Sequence, residues 1–324
     1  SNIIINYSFA KIVKVPYFTA MIVLNSIFPI FALLLLGSFL KHYNITNETF
    51  LKTSDKLVYF IFFPVMLFWK IGSSTSDNGA SVNLCTASIL AVLIVYLLSL
   101  AAIRLFNISS FQAGTFSQAC YRFNTYIGMA IVMNTLGESG IRSFGILIGF
   151  AIPIINVLAV STLIWHSGKK GSIGQNTKYL LKALISNPLI LGCMAGLFFS
   201  KFQFSFPVFI DNTFTLMTAV TMPLALISIG GSLTITGLKL NTKVSFIASL
   251  LKGLILPAIG FFLLKAFSVT GISFKAGMIF FTLPTSTAIY VLSAQLNSDT
   301  QLASAIIMLS TILSIVSMSV ALFM

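Results

Sequence analysis

Gln118-Ala119-Cys120-Tyr121-Arg122-Phe123-Asn124-Thr125-Tyr126-Ile127-Gly128 sets a cation, an amide, a hydroxyl and a glycine in the middle of an apolar run at about 111–136. That run is long enough to cross ~30 Å of hydrocarbon as a helix. In hydrocarbon every backbone donor and acceptor needs a protein partner, so a span interrupted in this way needs a compensating reason. A second run, at about 272–296, is interrupted at the corresponding place: Phe281-Thr282-Leu283-Pro284-Thr285-Ser286-Thr287-Ala288-Ile289-Tyr290. Pro284 removes a backbone donor and crowds the preceding turn, and the hydroxyls of Thr282, Thr285, Ser286 and Thr287 are at hand for the carbonyls it frees.

Outward from these two stretches the chain repeats itself. Gly37, Pro64 and Gly72 are spaced 27 and 8 residues apart, and Gly196, Pro223 and Gly231 show the same two spacings 159 positions later. Arg104-Leu105-Phe106 corresponds to Lys265-Ala266-Phe267 at an offset of 161, and Glu138 to Asp299. Runs long enough to cross the bilayer lie at about 17–40, 49–70, 83–106, 111–136, 139–164, 179–200, 207–232, 243–267, 272–296 and 300–323. Ten runs divide into five and five, with domain bounds 17–164 and 179–323, at the polar connection that holds Gly168, Lys169, Lys170, Gly171, Gly174 and Lys178. Five is odd, so the halves enter the membrane in opposite senses. The expected fold is an all-α polytopic membrane protein of ten helices in two inverted five-helix repeats, with helices four and nine broken near the midplane.

Composition supports this reading. A mean hydropathy of +1.01, with 57% hydrophobic and 8% charged residues, leaves too few polar groups to cover a soluble globule. The net charge of +13 is strewn singly between apolar runs and forms no nucleic-acid-binding stripe. Cys85, Cys120 and Cys193 are odd in number and lie inside apolar runs, so they read as small apolar side chains and give neither disulfide framework nor metal site. No cofactor is expected. Connections on the side of the central loop carry ten Lys and Arg and those on the other side seven. This places loop 166–178 in the cytoplasm and both termini outside the cell membrane.

Arg122 lies about eleven residues into its run, where an unpaired arginine costs on the order of 3 kcal/mol. The acids Glu48, Asp55, Asp77, Glu138, Asp211 and Asp299 all fall at run ends or in loops, so a mobile anion is one partner for it. The other reading has Arg122 reaching a helix C-terminus or snorkelling to water. Lys252 is the other deep cation. It either adds countercharge or, nine residues from Lys243, reaches the surface. Asn124 and Thr125 offer hydrogen bonds in the break and Gly128 allows close backbone approach, although small and polar residues also serve helix packing. With Pro284, Thr285, Ser286 and Thr287 they form the expected substrate-binding set, where half-helix N-termini aim partial positive charge at an anion.

Further stretches carry a family resemblance: Phe28-Pro29-Ile30-Phe31 with Gly37, Leu57-Val58-Tyr59 leading to Pro64, Asn124 with Gly128, and Leu136-Gly137-Glu138. In the second half they are Asn187-Pro188, Met222-Pro223-Leu224-Ala225-Leu226, Ile229-Gly230-Gly231-Ser232-Leu233, and Leu283-Pro284 followed by Tyr290-Val291-Leu292. From about Asn25 onward the chain resembles the auxin efflux carrier family, which includes plant auxin carriers and bacterial malate and malonate permeases. The resemblance implies a fold like that of the bile acid sodium symporters. In it, helices 1, 2, 6 and 7 form a scaffold and helices 3–5 and 8–10 a moving transport domain, whose broken helices four and nine cross at their breaks. It further implies elevator-type alternating access and a homodimer joined through the scaffold. Asn124 falls where the family has a crossover asparagine; its counterpart is replaced around Thr287-Ala288, which shifts weight to Thr285, Ser286 and Thr287.

The function expected is secondary transport of a small organic anion, a mono- or dicarboxylate of the auxin or malate type. The alternative is a sodium-coupled symporter of a larger amphipathic anion. An enzyme is not expected, because His42 and His166 lie near run ends and the acids do not cluster. A transporter-like sensor would need a signalling domain, and the longest connection is about fifteen residues.

Overall fold

Long apolar stretches without water partners close their backbone hydrogen bonds internally, and this chain does so as helix after helix. The computed structural model describes residue 25 and residues 27–73, 78–166, 187–202, 205–232 and 242–324, and all regular structure among them is helical. The first half holds α1 (Ile27–His42), α2 (Glu48–Leu57), a π turn (Val58–Phe62), α3 (Phe63–Gly72), α4 (Asn78–Leu105), α5 (Ser110–Tyr121) and α6 (Thr125–His166). The second holds α7 (Pro188–Lys201), α8 (Val208–Ser232), α9 (Thr242–Leu250), a π turn (Leu251–Ile255), α10 (Leu256–Ala266), α11 (Gly271–Thr282), α12 (Ala288–Gln295) and α13 (Thr300–Phe323). Among the described residues, five stretches are long and apolar enough to cross a membrane: Val82–Leu105, Ser110–His166, Val208–Ser232, Thr242–Ala266 and Thr300–Phe323. Shorter apolar helices stand beside them, and the whole is a polytopic, all-helical membrane protein. Asp77, residues 167–178 of the central connection, and the expected starts of runs one and six (17–24 and 179–186) lie outside the described residues.

Local chemistry sets the helix ends. Asn187 accepts from the amides of Leu189 and Ile190 (3.0 and 3.3 Å), and Pro188 takes the first helical position, where a missing N–H costs nothing. Asn47 and Asp299 cap α2 and α13 in the same way. Within α6, Gly137 adopts φ 60° and ψ −153°, which a side chain would resist, and this bend separates expected runs four and five. Each π turn leads into a proline. Pro64 and Pro257 cannot bond the carbonyls of Phe60 and Gly253, and both carbonyls lie in the widened turn that takes up the misfit.

The helices pack as two groups. α3 lies along α7, and α8 packs on α2 and α3; α4, α5 and α9–α13 pack on one another; α6 supplies the main contacts between the groups. In the first group small residues let backbones touch. A Cβ on Gly37 would collide with the carbonyl oxygen of Ile227, and one on Gly196 would come within 3.0 Å of the carbonyl oxygen of Phe68. Gly37 and Gly196 are 159 positions apart (196 − 37), and so are their partners (227 − 68). The interior is apolar and includes Cys85, Cys120 and Cys193 as buried free thiols, while Phe28, Leu35, Phe60, Phe198, Phe262 and Val316 face outward. Such an exterior suits lipid.

Candidate functional site at the helix breaks

α5 and α11 are each 12 residues long, and both their first and last residues are 161 positions apart (271 − 110, 282 − 121). Each ends on an extended residue, Arg122 (φ −68°, ψ 146°) and Leu283 (φ −60°, ψ 147°), and helix resumes at Thr125 and Ala288. The breaks touch: the amide of Asn124 donates to the carbonyl of Pro284 at 2.9 Å. Four half-helix ends therefore converge, two presenting free N–H groups and two free carbonyls.

Side chains satisfy most of these groups. Asn124 Oδ1 accepts from the amides of Tyr126 (3.1 Å) and Ile127 (3.2 Å) and so caps the start of α6. Ser286 Oγ accepts from the Ala288 amide at 3.3 Å. Thr285 donates its hydroxyl to the Ala119 carbonyl (3.0 Å) and its amide to Ser310 Oγ (3.1 Å), tying the second break to α5 and α13. At the end of α11, Thr282 Oγ1 donates to the carbonyls of Met278 and Ile279, Ser317 Oγ to that of Thr282, and Lys252 Nζ to that of Phe281 at 3.3 Å. The half-helix register aligns Asn124 with Thr285 (285 − 124 is again 161), two residues before the Thr287-Ala288 position expected from sequence.

Arg122 is 8% exposed. Its Nη2 donates to Oδ1 of Asn156 on α6 at 2.9 Å, and its buried Nη1 has no hydrogen-bond partner among the described residues. It neither snorkels nor caps a helix with its side chain. Lys252 is 1% exposed, so it does not reach the surface either. Neither of the two ion pairs among the described residues, Lys41–Glu48 and Lys70–Glu138 (2.6 Å), involves these cations. Asp211 accepts from Trp69 Nε1 at 2.7 Å, and Asp299 caps its helix. Asp55 is exposed in the second turn of α2, near the start of the expected run 49–70.

Arg122, Asn124, Pro284 and Thr285 are buried at the crossing, and Thr125, Ser286 and Thr287 beside them in the chain are half-buried. Gly128 serves packing. A Cβ there would lie 2.5 Å from Phe144 Cζ and 2.6 Å from Leu283 Cδ1, so protein occupies the space that close approach of a ligand would need. Lys252 joins the group from behind, through α11. Asn156, Tyr126, Ser310 and Ser317 were not among the residues expected. Tyr126 is half-buried beside Thr125 and sets its ring edge-on to Phe63 of α3 at 5.0 Å. A lone amide in an apolar run, as at Asn156, is the one signal of these legible in sequence. A cavity of about 340 Å³ opens elsewhere, beside Arg104 and His166 at the ends of α4 and α6, and no crossing residue lines it.

The arrangement sets a half-paired guanidinium three residues before a helix N-terminus, and no two side chains in it form a nucleophile–base pair. Residues 22–322 match the membrane transport protein family. An uncharacterized transporter of Methanocaldococcus jannaschii is 24% identical over 301 residues, which cover 91% of this chain and 96% of that protein.

Proposed function

Because this chain belongs to the auxin efflux carrier family of membrane transport proteins, we propose that it is a secondary carrier of a small organic anion, a mono- or dicarboxylate, held at the crossing of the two helix breaks. It is a transport protein and not an enzyme. One observation carries the choice of an anion: Arg122 is buried with one nitrogen anchored by Asn156 and the other unpaired among the described residues. A buried cation left half-satisfied is costly, and a carboxylate docking on Nη1 offsets that cost. The half-buried hydroxyls of Thr125, Ser286 and Thr287 in the same two breaks add donors, with the N-terminus of α6 favouring negative charge.

The transport cycle we propose is of the elevator type. α1–α3, α7 and α8 form the scaffold through which two copies pair, and α4–α6 with α9–α13 carry the site past it. The exchanged glycine contacts, spaced alike in both halves, support an inverted repeat, and the concentration of contacts between the groups on α6 supports a sliding boundary. In this reading the termini are outside the cell and residues 166–178 in the cytoplasm.

The test is uptake of radiolabelled malate and a panel of other carboxylates into proteoliposomes, with and without sodium. Saturable uptake is expected, weakened about tenfold or more in Arg122→Ala, the effect of losing one charge-assisted hydrogen bond. Unaltered uptake in that variant removes Arg122 from the mechanism. A strict need for sodium favours the symporter of a larger amphipathic anion.

A further inference from the structure

The two half-helix C-termini at the crossing are treated differently. The end of α5 is closed by the amide of Arg122, which donates to Gln118 at 3.0 Å, while the Arg122 side chain turns away to Asn156. The end of α11 receives a full positive charge. Lys252 stands in the π turn before Pro257, where α5, α11 and α13 all pack against that turn, and its ammonium donates to the Phe281 carbonyl. The carbonyl it meets is one of the last of a half-helix, the kind of oxygen that holds a monovalent cation in a broken-helix carrier, and the next carbonyl, that of Thr282, accepts from Ser317 Oγ. A buried ammonium is retained only where something compensates it, and the partial negative charge of a helix C-terminus is what the structure supplies. Cys120 on α5 is the titratable side chain within electrostatic reach of it.

We infer that Lys252 is a resident cation filling the place that a co-transported alkali ion would take at the end of α11, so that the carrier needs no such ion. This rests on the carrier reading above and assigns Lys252 to the crossing itself, leaving contact with the anion to Arg122.

The experiment is thermal unfolding of the purified protein, without substrate, at constant ionic strength in sodium, lithium, potassium or choline chloride. The wild type is expected to melt at one midpoint in all four salts. Lys252→Ser, which opens space beside the Phe281 carbonyl and adds a hydroxyl, is expected to melt lower in choline and to rise by more than about 2 °C in at least one alkali chloride, since an ion that binds only the folded state stabilises it by mass action. A wild-type midpoint raised by sodium over choline overturns the inference, and so does a folded Lys252→Ser protein indifferent to every alkali ion. Should Lys252→Ser not fold, Lys252→Met and Lys252→Arg decide: a midpoint in choline lowered by Met and restored by Arg upholds the inference, and a Met variant as stable as wild type overturns it. No anion enters the assay, so its failure leaves the anion-carrier reading standing, and failure of Arg122→Ala to impair uptake bears on that reading alone.

Discussion

Arg122 and Asn124 stand two residues apart in one break and have opposite tasks. The Asn124 side chain is spent on two backbone amides of α6, so it builds the break. Replacing it with Ala should lower stability by about 1 kcal/mol, the usual cost of a lost N-cap, measured by thermal or denaturant unfolding in detergent. Arg122 keeps one nitrogen free because Asn156 holds the other. Asn156→Ala should therefore leave the protein folded and raise the KM for the transported carboxylate several-fold, because the guanidinium loses its aim and keeps its charge. Equal losses in kcat and KM-independent uptake would show instead that Asn156 acts on the moving parts.

At the scale of helices, glycine matters most where backbones touch. A Cβ on Gly230 would run into the backbone carbonyl of Leu34, and no side-chain rotation relieves that contact. Gly253, in the π turn, has nothing within 4 Å of the Cβ position. Gly230→Ala should force α1 and α8 apart and cost more than about 1 kcal/mol, whereas Gly253→Ala should be neutral or stabilising by up to about 1 kcal/mol. Parallel melting curves of the two variants check both. The breaks obey the same logic. Hydrocarbon does not hydrogen-bond, so α5 and α11 end only where Thr285, Ser310, Ser317 and Lys252 replace the partners that continuing helix would have given.

Over the whole molecule, the boundary between the two helix groups runs along α6 and is bridged at one end by Lys70 of α3 and Glu138, just past the bend in α6. Glu138 is 71% exposed, so this pair contributes little stability and is a contact that sliding can break. Lys70→Cys combined with Glu138→Cys, joined by a bis-methanethiosulfonate cross-linker about as long as the two side chains it replaces, should arrest uptake, with reduction restoring it. The native thiols are buried and should not compete. Unchanged uptake in the fully cross-linked protein would exclude motion across this boundary.

What the amino-acid order determined on its own was the solvent and the period: apolar runs about as long as a bilayer is thick, and two interruptions one repeat apart, because membrane helices are local objects whose hydrogen bonds close within a few residues. The break residues Arg122 and Asn124 were legible for the same reason, as polar groups where hydrocarbon forbids them. Tertiary structure alone decided which oxygens and nitrogens meet. Asn156 lies 34 residues from Arg122 and Phe281 lies 29 from Lys252, and nothing local ties those positions together. It also turned Gly128 from a point of ligand approach into a packing contact with Phe144 and Leu283, since the space a missing Cβ leaves is filled by whichever helix arrives there.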